Sequence, residues 1–463
     1  MVGISTWCHI LSRRLLHRPT HSRAEPRYTD GIRSVSRHAP DLSAPRISNR
    51  KIDRINKVRQ VRRTRRGRKM LRNTATNVLM LLASLSVSLG AQETSDQTGG
   101  QITGLPAINY DSDEGFGYGV LLEAYFYGEG GYSPYRFTIQ PTLKFTTKGR
   151  RELTVFFDAP HLLSNGWRVD GFLRSERLIA SPYYGLGNNS IYDQTLEESE
   201  GQYYYRFGRS RTKVAMNLQR PLEGSPVRIL FGGGVTRTSV EPLPENATRT
   251  LLSTEFPENA PGGWSNYLRA GVVWDTRDRE TGPHRGTWSE FLVQAVPTFL
   301  GSQSQYLRWT LADRRYFPLG DRLTFANRFL LQNIEGSAPF YDLSIVQTSF
   351  KQEEGLGGAK TLRGIPKNRY IGNGMFLWNA ELRWRAHDFT MAGGAFHIVL
   401  SGFIDNGRVW KDDLQIGELV SDLTTAYGGG VRLGLGENFV VAVDVGHSDE
   451  AAAPIYIGLG YLY

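Results

Sequence analysis

Cysteine is almost absent from this chain of 463 residues, because the one cysteine is Cys8. Neither a disulfide framework nor a thiolate metal site can therefore form in the rest of the sequence. After Leu89 the chain also lacks any run of about 18 consecutive apolar residues, which excludes a membrane-spanning helix there. A mean hydropathy of −0.37 is likewise too polar for a helical membrane protein.

Acidic residues are scarce only at the start of the chain. The net charge is +10, but residues 1–69 hold 19 Lys/Arg against 4 Asp/Glu, a balance of +15. Residues 70–463 therefore carry −5. The basic character belongs to this leader, so the sequence does not predict a nucleic-acid partner.

The N-terminal region contains a second possible start. Residues 1–69 are rich in arginine, lack hydrophobic periodicity and are typical of a disordered segment. From Met70 a basic residue, the apolar stretch Val78–Leu89 and the small residue Ala91 follow in the order of a secretory signal peptide. We hypothesise that translation starts at Met70 and that 70–91 is the signal peptide. The alternatives are a functional basic tail before it and a short anchoring helix within it.

Alternation at period two recurs through the rest of the chain, in segments of about ten residues separated by turn-forming residues. Within 378–385, Trp and Leu alternate with Asn, Glu and Arg. Near the C-terminus, one face would carry Ile455, Ile457, Leu459, Tyr461 and Tyr463, and the other Tyr456, Gly458, Gly460 and Leu462. Successive side chains of a strand point to opposite faces, so each segment has one apolar face.

An apolar face suits either the interior of a soluble sandwich or the lipid side of a membrane barrel. The signal peptide and the aromatic residues near strand ends favour the barrel, because such residues form girdles at membrane interfaces. The girdle candidates are Trp288, Trp309, Trp378, Trp384, Tyr461 and Tyr463. Abundant glycine, 51 residues, fits many tight turns. We therefore predict an all-β fold, a closed transmembrane antiparallel β-barrel of about 16 strands at 115–463.

The predicted strand boundaries place the first strand near 115–127, after a short periplasmic segment at 92–114. Two further strands are predicted near 200–209 and 211–219, and the last near 454–463. Short turns such as Lys148-Gly149-Arg150 and Leu319-Gly320-Asp321 are expected to face the periplasm. The longer loops 179–199, 240–265 and 333–373 are expected to face outward.

Three motifs mark the C-terminal half. They are Trp274-Asp275-Thr276-Arg277-Asp278 with His284-Arg285-Gly286-Thr287; Leu356-Gly357-Gly358-Ala359 with Leu362-Arg363-Gly364-Ile365; and Gly402 to Trp410, which includes Phe403, Asp405 and Gly407. Their order and spacing resemble the bacterial surface antigen family, the barrel of BamA/TamA-type outer-membrane assembly and translocation proteins. The resemblance extends over about 270–463. Such relatives usually carry periplasmic POTRA repeats, and the short segment 92–114 leaves no room for one.

The resemblance implies a long external loop that folds back into the lumen. The tip of this loop would be Leu362, Arg363, Gly364 and Ile365, with isoleucine where the family has an aromatic residue. Arg363 would face acidic residues of the next two strands, here Glu381 and Asp405. Strand parity agrees, since Glu381 lies on the polar face of its segment and Asp405 shares a face with Ser401. The alternative is that Arg363 is an ordinary exposed loop arginine.

The C-terminal residues Gly458, Tyr461 and Tyr463 resemble the signal by which outer-membrane barrels are recognised for assembly, with Tyr463 in place of the usual phenylalanine. An ordinary last strand would show the same alternation. The segment Asp111 to Gly115 looks like the start of a calcium loop, but it lacks the distal Glu, so no metal is predicted.

Taken together, these patterns predict a barrel in the outer membrane of a Gram-negative-type bacterium that aids protein insertion or export. Its expected partners are outer-membrane lipid, unfolded outer-membrane or exported proteins, and the barrel-assembly machinery for its own insertion. No enzymatic activity and no cofactor are predicted. A passive pore or structural barrel is the first alternative. A hydrolase that uses His397 near Asp405 is the second.

The signal-peptide hypothesis predicts a mature protein that begins at Gln92. N-terminal sequencing of protein from the outer membrane should read from Gln92, because cleavage follows Ala91. An N-terminus within 1–69 would instead support the basic tail.

Overall fold

The computed structural model describes residues 98–463 except 133–134, 165, 257–261, 281, 350–352, 392–393, 415 and 437–438. The predicted leader and signal peptide lie outside the described residues. Within the part that is described, no helix is long and apolar enough to cross a bilayer.

Sixteen strands, β1 to β16, form one antiparallel barrel. In chain order they are Gly99–Asp111, Gly115–Gly128, Phe137–Thr146, Arg150–Ala159, Arg168–Pro182, Arg206–Pro221, Val227–Glu241, Tyr267–Asp275, Gly286–Val296, Tyr306–Gly320, Leu323–Gly336, Gly374–Met391, Gly394–Trp410, Thr424–Leu435, Phe439–His447 and Ile455–Leu459. Each strand pairs with its neighbours in sequence, and β1 pairs with β16 to close the barrel. The predicted fold class is confirmed.

Short elements lie in the connections between the strands. They are the helices Gln194–Ser199, Leu251–Glu255 and Phe340–Leu343, the 3₁₀ turns Thr298–Leu300 and Ile416–Glu418, and the two-residue strands Gly263–Trp264, Ile345–Val346 and Glu353–Glu354. Most of them sit in the long connections β5–β6, β7–β8 and β11–β12, which therefore have local structure of their own.

The strand count agrees with the prediction, but two boundaries do not. The barrel begins at Gly99 rather than at 115, within the segment expected to be periplasmic. The sequence of β1, with two glycines at its start and Pro106 inside it, carries little strand propensity. Conversely, the two strands predicted at 200–209 and 211–219 are one strand, Arg206–Pro221. The two errors cancel in the count.

The faces of the strands are inverted relative to a soluble protein. On β6, Arg209, Arg211 and Lys213 are buried in the lumen, whereas Val214 and Met216 on the other face are exposed. The same holds on β12, where Glu381 and Arg383 are buried between exposed tryptophans. The apolar sides of the strands therefore face the bilayer, and the charged sides line the interior.

The predicted aromatic girdle is only partly present. Trp378 and Trp384 are exposed on the lipid side. Trp288 instead shares the lumenal face of β9 with the buried Glu290, and the Arg277 guanidinium lies 3.8 Å from its ring centroid. Cation–π contact thus accounts for a tryptophan that the girdle prediction placed in lipid.

The turn Lys148-Gly149-Arg150 lies at the opposite end from the one predicted. In an up-and-down barrel every second connection falls at the same end. The β3–β4 turn therefore shares its end with the long β5–β6, β7–β8 and β11–β12 connections. The turn near Leu319-Gly320-Asp321, between β10 and β11, is at the other end, as predicted.

The inverted faces predict a position-specific cost for a charge on the lipid side. Val214→Arg, near the middle of β6, should destabilise the folded barrel in lipid bilayers by about 2–4 kcal/mol. Urea titration of folding into vesicles measures this change.

Ile191→Arg, in the outer connection β5–β6 where the side chain is 79% exposed, is the matched control and should change stability little. Equal effects of the two substitutions would contradict the assignment of the lipid face.

Candidate functional site

The connection between β11 and β12 lies inside the barrel and is held there through its main chain. Lumenal arginines donate to its carbonyl groups: Arg211 Nη2 to Tyr341 O and Arg308 Nη2 to Asp342 O, each at 2.7 Å. Buried main-chain groups need partners. The guanidinium groups of the strands thus replace the water that this loop would otherwise need.

Arg363, at the tip of the loop, is fully buried and forks onto Asp405 of β13. Its Nε lies 2.9 Å from Asp405 Oδ2 and its Nη2 lies 3.0 Å from Oδ1. The main-chain N–H of Arg363 donates to the same carboxylate at 3.0 Å. Two parallel guanidinium–carboxylate bonds fix both distance and orientation, so one residue sets the position of the tip.

A second carboxylate, Glu381 of β12, accepts from Arg363 Nη1 at 2.7 Å. The structure therefore brings together the three residues whose meeting was predicted from strand parity and family resemblance. Asp444 of β15, 3.5 Å from Nη1, is a third acid that the sequence analysis did not name. The only signal for Asp444 was a charge on an otherwise small and apolar face.

The charges of this cluster balance. Arg383 Nε lies 2.9 Å from Glu381, and Arg432 Nη1 lies 2.5 Å from Asp444. With Arg363, the three arginines match Glu381, Asp405 and Asp444. We call these six residues the lumenal ion cluster. Such neutrality matters because an uncompensated buried charge is far more costly than a paired one.

Phe403, predicted as part of the strand motif, lies beneath the Arg363 guanidinium at 3.5 Å from its ring centroid. It occupies the same lumenal face of β13 as Asp405, two residues away. The ring covers the flat face of the guanidinium, while the carboxylates accept from its edge.

Gly364 allows the chain to turn immediately after Arg363. Its φ is +116°, and a Cβ there would meet the main chain of His447 at 2.9 Å. The Gly364 N–H donates to the hydroxyl of Tyr456 at 3.3 Å, and its carbonyl accepts from Ser448 at 2.6 Å. Only glycine fits both the conformation and the space.

Leu362 and Ile365 are both buried in an apolar cluster on the other side of the tip. Its further members include Leu356, Leu377 and Val409. Isoleucine in place of the family's aromatic residue therefore still supplies buried apolar surface. Gly407, the third residue of the predicted strand motif, makes room here, since a Cβ on it would lie 2.9 Å from Leu356 Cδ1.

Asn379 links the loop to two strands and was missed by the sequence analysis. Its side-chain Nδ2 donates to Thr361 O at 2.7 Å and to Asp405 at 2.8 Å, and its side-chain Oδ1 accepts from Arg328 at 2.8 Å. Only its position two residues before Glu381 on the lumenal face pointed to it.

The loop also contacts the first hairpin. Lys367 donates through its main-chain N–H to Asp113 at 3.0 Å, and its ammonium pairs with Glu114 at 2.5 Å. Burial, and after it the charge of Asp111, raises the pKa of Asp113 to about 7. Burial would also raise the pKa of Glu114, but Lys367, Arg150 and Lys144 outweigh it and hold this pKa well below its usual range.

The three residues of the predicted assembly signal do not lie together in one strand. Gly458 belongs to β16, but the strand ends at Leu459, so the predicted strand 454–463 is too long. Tyr461 and Tyr463 lie inside the lumen against Arg383, at 4.5 and 5.3 Å from the ring centroids. They are not part of the lipid girdle, because both rings pack against lumenal arginines.

Comparison with known proteins places this architecture in a family. The Omp85 superfamily domain matches residues 128–439, about two thirds of the chain. The chain belongs to the Omp85 superfamily.

Solved structures agree on the fold of this Omp85 barrel. BamA from Haemophilus ducreyi lacking POTRA domains 1–3 is 14% identical, with a TM-score of 0.53, over 79% of this chain and 70% of that one. CdiB from Escherichia coli is 13% identical, with a TM-score of 0.50, over 78% of this chain and 63% of that one. No curated protein matches the sequence.

The chain is an outer-membrane assembly and translocation barrel of a Gram-negative-type bacterium.

The structure does not bring together the two residues named for the hydrolase alternative. His397 and Asp405 lie eight residues apart on β13, which separates them by about 26 Å at the rise of a strand. Ser401 lies halfway between them. A catalytic triad needs direct hydrogen bonds between its members, so these three residues cannot form one.

The lumenal ion cluster predicts that Arg363→Ala destabilises the barrel by about 3 kcal/mol, because two buried carboxylates lose their main partner. The loop should also become cleavable by trypsin after Lys360 or Lys367. Urea unfolding in detergent and timed proteolysis measure the two effects.

Arg249→Ala is the matched control, since its partly exposed pair with Glu200 should contribute at most about 1 kcal/mol. Unchanged stability and protease protection in Arg363→Ala would show that Arg363 does not hold the loop.

The raised pKa of Asp113 predicts that the stability of the folded barrel depends on pH. Its folded pKa of about 7 lies above the ordinary value of 3.8, so its contribution to stability is present below about pH 4 and is lost as the pH rises through 7. The Asp113 side chain is half-buried, so water still screens its charge in part, and the loss between pH 5 and pH 8 should be about 1 kcal/mol. Asp113→Asn should remove this part of the slope. The same slope in both proteins, measured by urea unfolding, would refute the assignment.

Proposed function

We propose that this Omp85 barrel inserts unfolded outer-membrane proteins into the bilayer at the seam between β1 and β16. The proposal rests on the small number of residue pairs that join the two strands at this seam. It consists of the pairs Tyr110–Ile457 and Asp111–Tyr456. By contrast, β12 and β13 pair from Gly374 opposite Trp410 to Met391 opposite Gly394.

One side chain reinforces the short seam. Ser112 Oγ accepts from the main-chain N–H of Ile455 at 2.9 Å and donates to its carbonyl at 3.3 Å. These contacts lie at the same end as the two strand pairs. The seam is thus closed at one end, and the remainder of β1 has no partner on this edge in the part of the chain that the structure describes.

The unpaired edge of β1 supports a role in strand addition. Its other edge pairs with β2 along the whole strand, from Gly99 opposite Gly128 to Asp111 opposite Gly115. From Gly99 to Asn109, the edge toward β16 has no partner strand among the described residues. An extended segment of an unfolded client can add to such an edge through main-chain hydrogen bonds, largely independent of its sequence.

The interior argues against the passive pore. The described residues of the loop 337–373, all but 350–352, occupy the lumen. Arg308, Arg328, Arg363 and Arg432 are fully buried there. A steady wide channel would need a water-filled interior. Large and constant conductance of the purified protein in planar bilayers would favour the pore instead.

The partners follow from this function. Lipid contacts the apolar outer face, unfolded outer-membrane or exported proteins are the clients, and a barrel-assembly machinery inserts the chain itself. For the last step, Gly458, Tyr461 and Tyr463 are proposed as the recognised signal. Because the chain spans 63% of CdiB, the activity of that whole protein is not transferred to it.

A disulfide across the seam should stop insertion. In a Cys8→Ser background, Tyr110→Cys with Ile457→Cys places two cysteines on directly opposite residues, at a separation that disulfide geometry allows. Oxidised protein in vesicles should fold a denatured outer-membrane client at least about tenfold more slowly than reduced protein, if every insertion requires the seam to open.

Phe291→Cys with Leu311→Cys, a lipid-facing pair between β9 and β10, is the matched control and should insert clients equally well in both states. Full activity of the oxidised seam variant would exclude insertion at this seam.

A further inference from the structure

Three arginines lie on the lipid side of β4, β5 and β7, near the end of the barrel that carries the long connections. Arg177 is exposed, whereas its two neighbours in β5 are buried. Arg237 is exposed between two buried threonines of β7. Arg151 is exposed and lies directly opposite Arg177 in the pairing of β4 with β5. Because successive side chains of a strand point to opposite faces, all three arginines point away from the lumen. We call these residues the arginine stripe.

The charges of Arg151 and Arg177 repel each other. Residues directly opposite in an antiparallel pair have Cβ atoms about 5 Å apart, and like charges there are destabilising. Within the described part of the chain, Arg151 has no carboxylate partner. Arg177 has Glu241 at 3.9 Å, but both side chains are 56% exposed, and such a pair contributes little. An anion from outside the chain would relieve this repulsion.

The lipid face changes from charged to apolar next to the stripe. From Arg177 toward the other end of β5, the same face carries Ser175 and then Leu173. The row of opposing residues at this last level is apolar on four strands and consists of Val155, Leu173, Val214 and Val235. Four residues of a tilted strand correspond to about 10 Å of depth. With the apolar row in the hydrocarbon, the stripe lies at the depth of the lipid headgroups.

Aromatic side chains flank the stripe on the same face. Trp264 is 40% exposed and lies opposite Arg237, whose guanidinium is 5.6 Å from the tryptophan ring centroid. On the other side, Phe145 lies opposite Arg151, and Tyr118 lies opposite Phe145 with the two ring centroids 5.8 Å apart. Trp and Tyr concentrate at membrane–water interfaces. Since the long connections of outer-membrane barrels are extracellular, this interface belongs to the outer leaflet.

We propose that the arginine stripe binds a phosphorylated lipid headgroup of the outer leaflet. A guanidinium forks onto phosphate through two parallel N–H bonds, so Arg151 and Arg177 together hold one phosphate and lose their mutual repulsion. Arg237 is on the second strand from Arg177, about 10 Å away across the sheet, which suits a second phosphate of the same headgroup. The acyl chains of the lipid then lie on the apolar row.

The same level of the barrel looks different elsewhere. At the outer ends of β10 and β11, the lipid-facing residues Leu307 and Glu335 lie opposite each other. A carboxylate repels phosphate, so the stripe on β4 to β7 is the favoured site. The apolar row beside the stripe favours a lipid over free phosphate, because only a lipid has acyl chains to cover it. This binding goes beyond the proposed function, since it involves neither a client nor the seam.

Native mass spectrometry of the full chain in non-ionic detergent tests the proposal, with bisphosphorylated lipid A as the probe. The double variant Arg151→Gln with Arg177→Gln should bind the probe at least about tenfold more weakly, because the charged hydrogen bonds to one phosphate are lost. Binding as tight as that of the unchanged protein would overturn the proposal.

Arg315→Gln is the matched control. Arg315 lies on the lipid face of β10 and is 56% exposed like Arg177, but it is near the other end of the barrel and pairs with Asp313 at 2.8 Å. Its loss should leave the affinity for lipid A unchanged. A loss equal to that of the double variant would show that binding does not depend on the stripe and would overturn the proposal.

Glu241→Gln is a variant whose expected effect cannot come from misfolding. It removes the carboxylate that lies 3.9 Å from Arg177 and competes with phosphate for this guanidinium. Lipid A should therefore bind about threefold more tightly. Unchanged or weaker binding would contradict the role of Arg177.

Three further probes identify the ligand. Monophosphorylated lipid A and phosphatidylglycerol should each bind at least about fivefold more weakly than the bisphosphorylated form, because each offers one phosphate. Inorganic phosphate at the same concentration should not displace lipid A, since it has no acyl chains. Equal binding of a one-phosphate lipid would overturn the two-phosphate headgroup, and displacement by inorganic phosphate would overturn the assignment to a lipid.

Discussion

The ion pair of Arg363 with Asp405 and Glu381 is the interaction on which the interior depends. A barrel with charged inner faces must either stay filled with water or neutralise those charges from within. Here the loop tip brings the third cation that the three acids of the cluster need beyond Arg383 and Arg432. The strands in turn donate guanidinium hydrogen bonds to the loop's carbonyl groups. The loop and the barrel wall therefore satisfy each other's charged and main-chain polar groups, as water would otherwise do. For this reason a segment without long regular structure can lie buried.

The position of the tip also determines what happens at the seam. Gly364 contacts Tyr456 of β16, and Lys367 contacts Asp113 and Glu114 in the first hairpin. One loop thus contacts β16 and the turn that follows β1, on the two sides of the short seam. A stable interior is compatible with a weak seam between β1 and β16. The loop supports the closed end of the seam through side chains, while most of the edge of β1 has no partner strand among the described residues.

Period-two alternation predicted the barrel because lipid on one side and charge on the other leave a repeating pattern in most strands. The prediction failed where the alternation is weak, or where it is present for a reason other than contact with lipid. The glycines and Pro106 of β1 gave no alternation to detect, whereas Gly458–Tyr463 alternates but leaves the sheet at Gly460. Trp288 shows the same limit, since an aromatic residue near a strand end suits a girdle or a cluster of arginines equally well.

The sequence by itself determined the fold class and the two faces of the strands that alternate clearly, because parity along a strand is a local property. The meeting of Arg363 with Glu381 and Asp405 was implied by family resemblance, and parity agreed with it. Only the tertiary structure decided that Asp444 and Arg432 complete the lumenal ion cluster and that Asn379 links it to the loop. It also decided that β1 and β16 share so short a seam and that Tyr461 and Tyr463 turn inward. Those features depend on which strands lie opposite across the lumen and on how the barrel closes, and no local pattern encodes such distances.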